Sequence, residues 1–141
     1  MLAAEWYAKA AVQGFASAQH NLGVCYSHGE GVAKDAALAV KWYAKAAVQG
    51  NASAQFNLGH CFQNGVGVTK DAVIAVNWYA KAAAQGNSSA QCNLGDCYER
   101  GIGFVQNTAF ALMWYAKAAA QGFEQAVTAV ARLTAASRRA S

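Results

Sequence analysis

The sequence predicts an all-α solenoid of 36-residue helical hairpins, and three observations carry that prediction. The hexapeptide Trp-Tyr-Ala-Lys-Ala-Ala begins at Trp6, Trp42, Trp78 and Trp114, each 36 residues after the last. A fixed period in this range marks an array of stacked units, none of which can bury its apolar face alone. None of the 141 residues is proline and 13 are glycine, which suits helices joined by turns where glycine takes positive φ. Hydrophobic residues make up 55% of the chain and charged ones 13%, which excludes a disordered polymer. Much of the apolar content is alanine, the strongest helix former and one that lets helix axes approach closely.

Taken in order, residues 1–14 correspond to a second helix from an incomplete leading unit. Leu2, Trp6 and Ala10 should then lack a covering layer, and this face is expected to be buried in a longer array or against another subunit. Full units follow at 15–50, 51–86 and 87–122. The middle one is the clearest. Ala52, Ala54, Leu58, Cys61 and Phe62 recur at three- and four-residue steps, an amphipathic first helix. Asn64 to Lys70 form a turn containing Gly65 and Gly67. Asp71 is an N-cap whose carboxylate accepts from free amides of the next helix. That second helix runs from about Ala72 to Ala84, with Ala75, Trp78, Tyr79, Ala82 and Ala83 facing inward, and Gly86 ends it. Residues 123–136 repeat the first-helix pattern with Ala131 replacing the helix glycine and Arg132 following. They read as a capping helix, and 137–141, with Arg138 and Arg139, as a polar tail.

The net charge is +4, and Lys9, Lys45, Lys81 and Lys117 recur with the period. Such lysines make a solvated row. With no aromatic row expected beside them to stack bases, nucleic acid is not an expected partner. No stretch reaches the ~18 consecutive apolar residues of a membrane span, so no membrane partner is expected. Met1 to Trp6 lack the basic start and apolar centre of a secretion signal, and a cytoplasmic setting is the expectation. Cys25, Cys61 and Cys97 share one repeat position, while Cys92 stands apart. On one helix, Cys92 and Cys97 differ by about 7.5 Å of rise alone, beyond the ~7 Å that a disulfide tolerates. The periodic cysteines read as small buried hydrophobes.

Ala-Gln-Phe-Asn-Leu-Gly at 54–59, Gly-Val-Gly-Val at 65–68, Asp71, Ala75 and Trp-Tyr-x-Lys-Ala-Ala at 78–83 closely resemble the Sel-1-like repeat of the tetratricopeptide superfamily. The ordinary tetratricopeptide unit is about 34 residues, and the extra length suits the longer Gly-x-Gly turn. Three departures stand out: Phe104 closes the third turn where Val68 closes the second, Asn107 stands where Asp35 and Asp71 stand, and the last helix loses its glycine. The resemblance implies a right-handed α/α superhelix whose first helices line a concave face. It also implies an adaptor that holds other proteins and is not itself an enzyme. Hydrolase activity, once proposed for cysteine-rich bacterial relatives, goes with paired cysteines seven residues apart. Here each unit has one periodic cysteine.

Function is therefore sought where the copies differ. Ala18/Ala54/Ala90, Asn21/Asn57/Asn93, Leu22/Leu58/Leu94 and Gly23/Gly59/Gly95 are constant. Between them the copies diverge: His20, Phe56, Cys92; Val24, His60, Asp96; Ser27, Gln63, Glu99; and His28, Asn64, Arg100. Steps of four, three and one put these positions on one stripe of a helix, the stripe that in the superfamily faces ligand. These twelve residues are the expected partner-binding surface, for a protein or peptide. The constant asparagines could contact a peptide backbone, and a structural bond to the neighbouring hairpin's loop is the favoured role.

Other chemistries find less support. The Gly-x-Gly turns at 29–31, 65–67 and 101–103 follow helices, not strands, so the dinucleotide fingerprint fails in context. His20, Cys25 and His28 lack the spacing of helical zinc pairs. No acid pair or nucleophile–base pair stands apart from the repeat frame, so neither cofactor, metal nor catalytic residue is expected. Beside the interaction scaffold, the competing reading is a self-assembling module that associates through its uncovered N-terminal layer.

Overall fold

The structure, a computed structural model, describes residues 3–140. They form α1 (Ala3–Val12), α2 (Ala16–His28), α3 (Ala36–Val48), α4 (Ala52–Asn64), α5 (Ala72–Ala84), α6 (Ser88–Arg100), α7 (Thr108–Ala120) and α8 (Glu124–Ala140), with no strand among the described residues. Each helix packs mainly on the helices before and after it in sequence, so the molecule is an all-α solenoid. First-type helices α2, α4, α6 and α8 alternate with second-type helices α1, α3, α5 and α7. Leu2, expected to lie uncovered, is outside the described residues.

Local chemistry sets the helix ends. Asp35, Asp71 and Asn107 accept hydrogen bonds from the Leu38, Ile74 and Phe110 amides at 3.1, 3.1 and 2.9 Å. The asparagine substitution thus keeps the cap. Asn51 and Asn87 cap α4 and α6 through the Ala54 and Ala90 amides, both at 2.8 Å. Phe15 has the same extended backbone ahead of α2 but no side-chain acceptor. Gly29, Gly65 and Gly101 end the first-type helices in the left-handed conformation, with φ of 72°, 68° and 69°. Ser137 occupies that repeat position in α8, and the helix continues to Ala140. The expected end at 136 and polar tail are therefore corrected: nothing at 137 turns the chain.

Within each hairpin the buried aromatic is tyrosine. Tyr43, Tyr79 and Tyr115 are 4%, 0% and 3% exposed. Each ring lies against the glycine of the first helix, where a Cβ on Gly59 would stand 2.8 Å from the Tyr79 ring and 3.1 Å from the Ala75 carbonyl oxygen. The Tyr79 hydroxyl donates to Gln63 Oε1 at 2.6 Å and that of Tyr115 to Glu99 Oε1 at 2.9 Å. Trp78, expected to face inward beside Tyr79, is half-buried instead and packs back on the α3–α4 cluster. Trp42 and Trp114 do the same toward their preceding units. Adjacent residues on a helix point about 100° apart, so tyrosine closes the hairpin while tryptophan closes the junction.

The lysine row is also corrected. Lys45, Lys81 and Lys117 place their ammonium groups 4.7, 4.8 and 5.4 Å from the Trp42, Trp78 and Trp114 ring centroids. An aromatic row does lie beside it, with each lysine seated on its own ring by cation–π attraction.

A ladder of buried glutamines joins the units. Gln19, Gln55 and Gln91 are about as buried as the apolar core. Each donates from Nε2 to a carbonyl of the preceding second helix, Ala11, Ala47 or Ala83, at 3.2 Å. Each accepts at Oε1 from the glutamine that ends the following second helix, Gln49, Gln85 or Gln121, at 2.7, 2.9 and 2.9 Å. One amide thus ties three helices, and no buried side-chain nitrogen or oxygen among the described residues lacks a partner.

Two outcomes follow for thermal or denaturant unfolding. Gly59→Ala should destabilise the protein by about 1–3 kcal/mol, because overpacking against Tyr79 outweighs the helix-propensity gain of about 1 kcal/mol. Phe15→Asn should stabilise it by about 1 kcal/mol by supplying the missing cap.

Candidate functional site

Eight of the twelve divergent residues line two grooves formed by the first-type helices. The larger, about 570 Å³, is walled by α2 and α4 and reaches the start of α6. His20, Val24, Ser27, His28, Phe56 and His60 line it, all from the expected stripe. The smaller, about 270 Å³, lies between α6 and α8, with Tyr115 of α7 contributing. Of the expected residues it takes in Cys92 and Asp96.

The remaining stripe residues are held by neighbours. Gln63 and Glu99 receive the Tyr79 and Tyr115 hydroxyls. Asn64 donates back to the His60 carbonyl at 3.1 Å. Arg100 donates to Asp96 Oδ2 at 3.1 Å on the exposed surface, a pair worth little in water. Cys92 is a correction: it is only 7% exposed and packs with Ala111, Tyr115 and Ala129, so it supports the groove floor from within the core. The burial of Phe56 is partial, its ring tilted 36° to that of Tyr79 with centroids 5.9 Å apart.

His20 holds a defined place. Its Nε2 lies 3.0 Å from Asn57 Nδ2 on α4 and its Nδ1 3.3 Å from Asn21 Oδ1. The neutral ring with its proton on Nδ1 satisfies both, since Nε2 then accepts from the Asn57 amide. Burial holds the imidazole below its usual range, against the opposing effect of the Asn21 hydrogen bond. Asn57 therefore ties its helix to the preceding first helix, where a bond to a loop was expected.

Sequence reasoning missed Arg132. It sits one period beyond Val24, His60 and Asp96, lines the second groove, and donates from both guanidinium nitrogens to Glu99 at 2.6 and 2.9 Å. Those hydrogen bonds are the main reason the Glu99 carboxyl lies below the ordinary carboxylate range. Continuing the stripe one unit further would have found it. Ser53, Asn57 and Ser89 also line the first groove, and as residues recurring or nearly so between units they carried no divergence signal.

All four cysteines are free thiols in buried positions. Burial raises each of them, Cys97 to about 12, so they are protonated and poorly nucleophilic at neutral pH. Among the described residues no group of three histidine, cysteine or acidic side chains could hold a metal ion.

Residues 1–15, 16–51, 52–87 and 88–123 each match the Sel1 repeat. The chain belongs to the Sel1 repeat family. Solved Sel1-type structures superpose on it. The protective antigen c5321 of uropathogenic Escherichia coli strains, which displays an SLR fold, is 45% identical with a TM-score of 0.90, over 92% of this chain and 28% of that one. A Sel1 repeat protein from Oxalobacter formigenes is 43% identical with a TM-score of 0.81, over 84% of this chain and 47% of its own. Cysteine rich protein B of Helicobacter pylori is 25% identical with a TM-score of 0.70, over 85% and 92%. This Sel1 array thus spans well under two thirds of the first two relatives. No curated protein matches the chain. No helix among the described residues is long and apolar enough to cross a membrane.

The His20 geometry predicts a pH effect in this Sel1 array. With its folded pKa below the unfolded value, His20 stabilises the fold fully above about pH 6.5, and that stability is lost as pH falls below it. Melting temperature should therefore drop between pH 7.5 and 5.5, before Glu99 titrates. His20→Phe, which copies Phe56, should flatten the slope over that interval.

Proposed function

We propose that this Sel1 array is a non-catalytic scaffold that holds an extended segment of a partner protein along the grooves of α2, α4, α6 and α8. One observation supports this reading: eight of the twelve residues that differ between otherwise constant units line two grooves along the first-type helices. His20, Phe56 and His60 gather in the larger groove and Asp96 in the smaller. A frame under packing constraint leaves these positions free to vary, and their variation is what would distinguish one partner segment from another. Phe56 offers an apolar anchor, while Ser27, Ser53, Asn57 and Ser89 offer hydrogen bonds to an extended backbone. Recognition then reads along the array, from the histidine-lined groove of α2 and α4 to the groove that holds Asp96 and Arg132. The cytoplasm remains the proposed setting.

A displayed peptide library selected on the full chain tests this. Wild type should enrich segments sharing a common pattern. Phe56→Ala, His60→Ala and Asp96→Ala combined should weaken the selected segment at least tenfold, with the helical circular-dichroism signal and melting transition retained. Unchanged affinity in that variant would refute the groove as the binding surface.

A further inference from the structure

The chain has three histidines, and all three line the groove between α2 and α4. Histidine is the side chain whose ordinary titration falls between pH 5 and 8, so each proton taken up there adds positive charge to this one concavity. Among the described residues that line it there is no lysine, arginine, aspartate or glutamate, from α1, α3, α5 or any other element. The other titratable groups at its walls are Tyr43 of α3 and Cys61 of α4. Burial raises both, which leaves them uncharged over this range. On the far wall stand Asn87 and Ser89, neither of which titrates. The charged groups of α6 are paired elsewhere, Asp96 with Arg100 and Glu99 with Arg132. Glu30, in the turn after α2, approaches His28 Nδ1 at 3.7 Å from outside the lining.

We infer that this groove receives an acidic stretch of the partner segment and grips it more tightly as the medium becomes more acid, an inference that rests on the scaffold reading above. The histidine positions also set a spacing. His20 and His28 lie eight residues apart on α2, about 12 Å along the helix axis. His60 occupies on α4 the repeat position of Val24, midway between them. An extended chain advances about 6.6–6.8 Å every two residues and turns alternate side chains to the same side. Carboxylates on alternate residues therefore meet the three imidazoles in turn.

A protonated imidazole has two N–H donors and no acceptor, and a carboxylate accepts from it in a short, charge-assisted bond. His28 and His60 are exposed and open to such a ligand. The Glu30 contact, with both side chains more than 60% exposed, is the same pairing made within the chain, and a partner carboxylate can replace or join it. At His20 the proton changes the local bonding. Nε2 turns from acceptor to donor and no longer suits the Asn57 amide nitrogen at 3.0 Å. A carboxylate at that edge supplies the missing acceptor and offsets the lost tie between α2 and α4. The second groove suits acidic residues poorly, because Asp96 lines it and both terminal nitrogens of Arg132 are already bound to Glu99.

The test selects a displayed random peptide library on the full chain at pH 5.5, where Asp and Glu ordinarily stay ionised, and elutes at pH 7.5. The eluted peptides should be enriched in acidic residues at alternate positions. A synthetic member should bind at least tenfold more tightly at pH 5.5 than at pH 7.5, and its amide counterpart should show no such gain. His28→Gln and His60→Gln, both at exposed positions, should each remove about threefold of the gain, the size of an exposed charge pair. These variants leave every lysine and arginine in place, so they separate the groove from the overall charge of the chain. The peptide should also raise the melting temperature more at pH 5.5 than at pH 7.5. An eluate without acidic bias, or a gain that survives the double histidine variant, would overturn this inference. Non-acidic peptides that lose affinity on combined Phe56→Ala, His60→Ala and Asp96→Ala would overturn it while leaving the groove reading in place. Acidic peptides that bind that variant undiminished, or no enrichment at either pH, would overturn both.

Discussion

The close seating of a tyrosine ring on a glycine sets the geometry of every complete hairpin. Tyr43, Tyr79 and Tyr115 are buried because Gly23, Gly59 and Gly95 present bare backbone to them. Helix pairs this close leave no room for longer side chains, which explains the alanine-rich interior. The tyrosine hydroxyl then needs an acceptor, and Gln63 and Glu99 supply it from the first helix. Two of the divergent positions are therefore occupied in part with holding the hairpin, and the groove belongs mainly to the others.

Stacking the hairpins involves a different set of residues. Tryptophans reach back across each junction, the second turn glycine lies against the preceding second helix, and the glutamine ladder crosses both boundaries. At Gly103 a Cβ would come 2.7 Å from the Ala72 carbonyl oxygen, so the Gly-x-Gly turn serves packing between units. Burying an amide is costly unless all its hydrogen bonds are made. Here both neighbours must be in register for that to happen. The apolar layers supply most of the driving force, and the ladder selects one register.

The fold was legible because a 36-residue period repeats caps, turns and packing positions together. The second-helix bounds follow directly from Asp71 and Gly86. Sequence and structure differ where one residue type can serve two faces. Trp78 and Tyr79 are adjacent and both aromatic, and their order of burial depends on the Gly59 contact, which involves residues far apart in sequence. Arg138 and Arg139 read as a polar tail, but α8 runs on to Ala140 because no glycine stands at 137 to end it. Gln55 is a polar residue in a hydrophobic neighbourhood, and its constancy was visible but its burial was not. Within the groove, six of the twelve stripe residues lie together in one concavity. Cys92 lies beneath the surface because α8 covers it, a contact between residues far apart in the repeat pattern.

The glutamine ladder also bears on how such a chain can change size. Every link joins residues in consecutive periods, so inserting or deleting one whole period in the interior restores each donor to an equivalent acceptor. Any other increment would strand amides on both sides of the seam. Val127, an aliphatic residue one period beyond Gln91, interrupts the ladder at α8 without leaving an amide there unpaired. Growth or shrinkage of the array is thereby quantised.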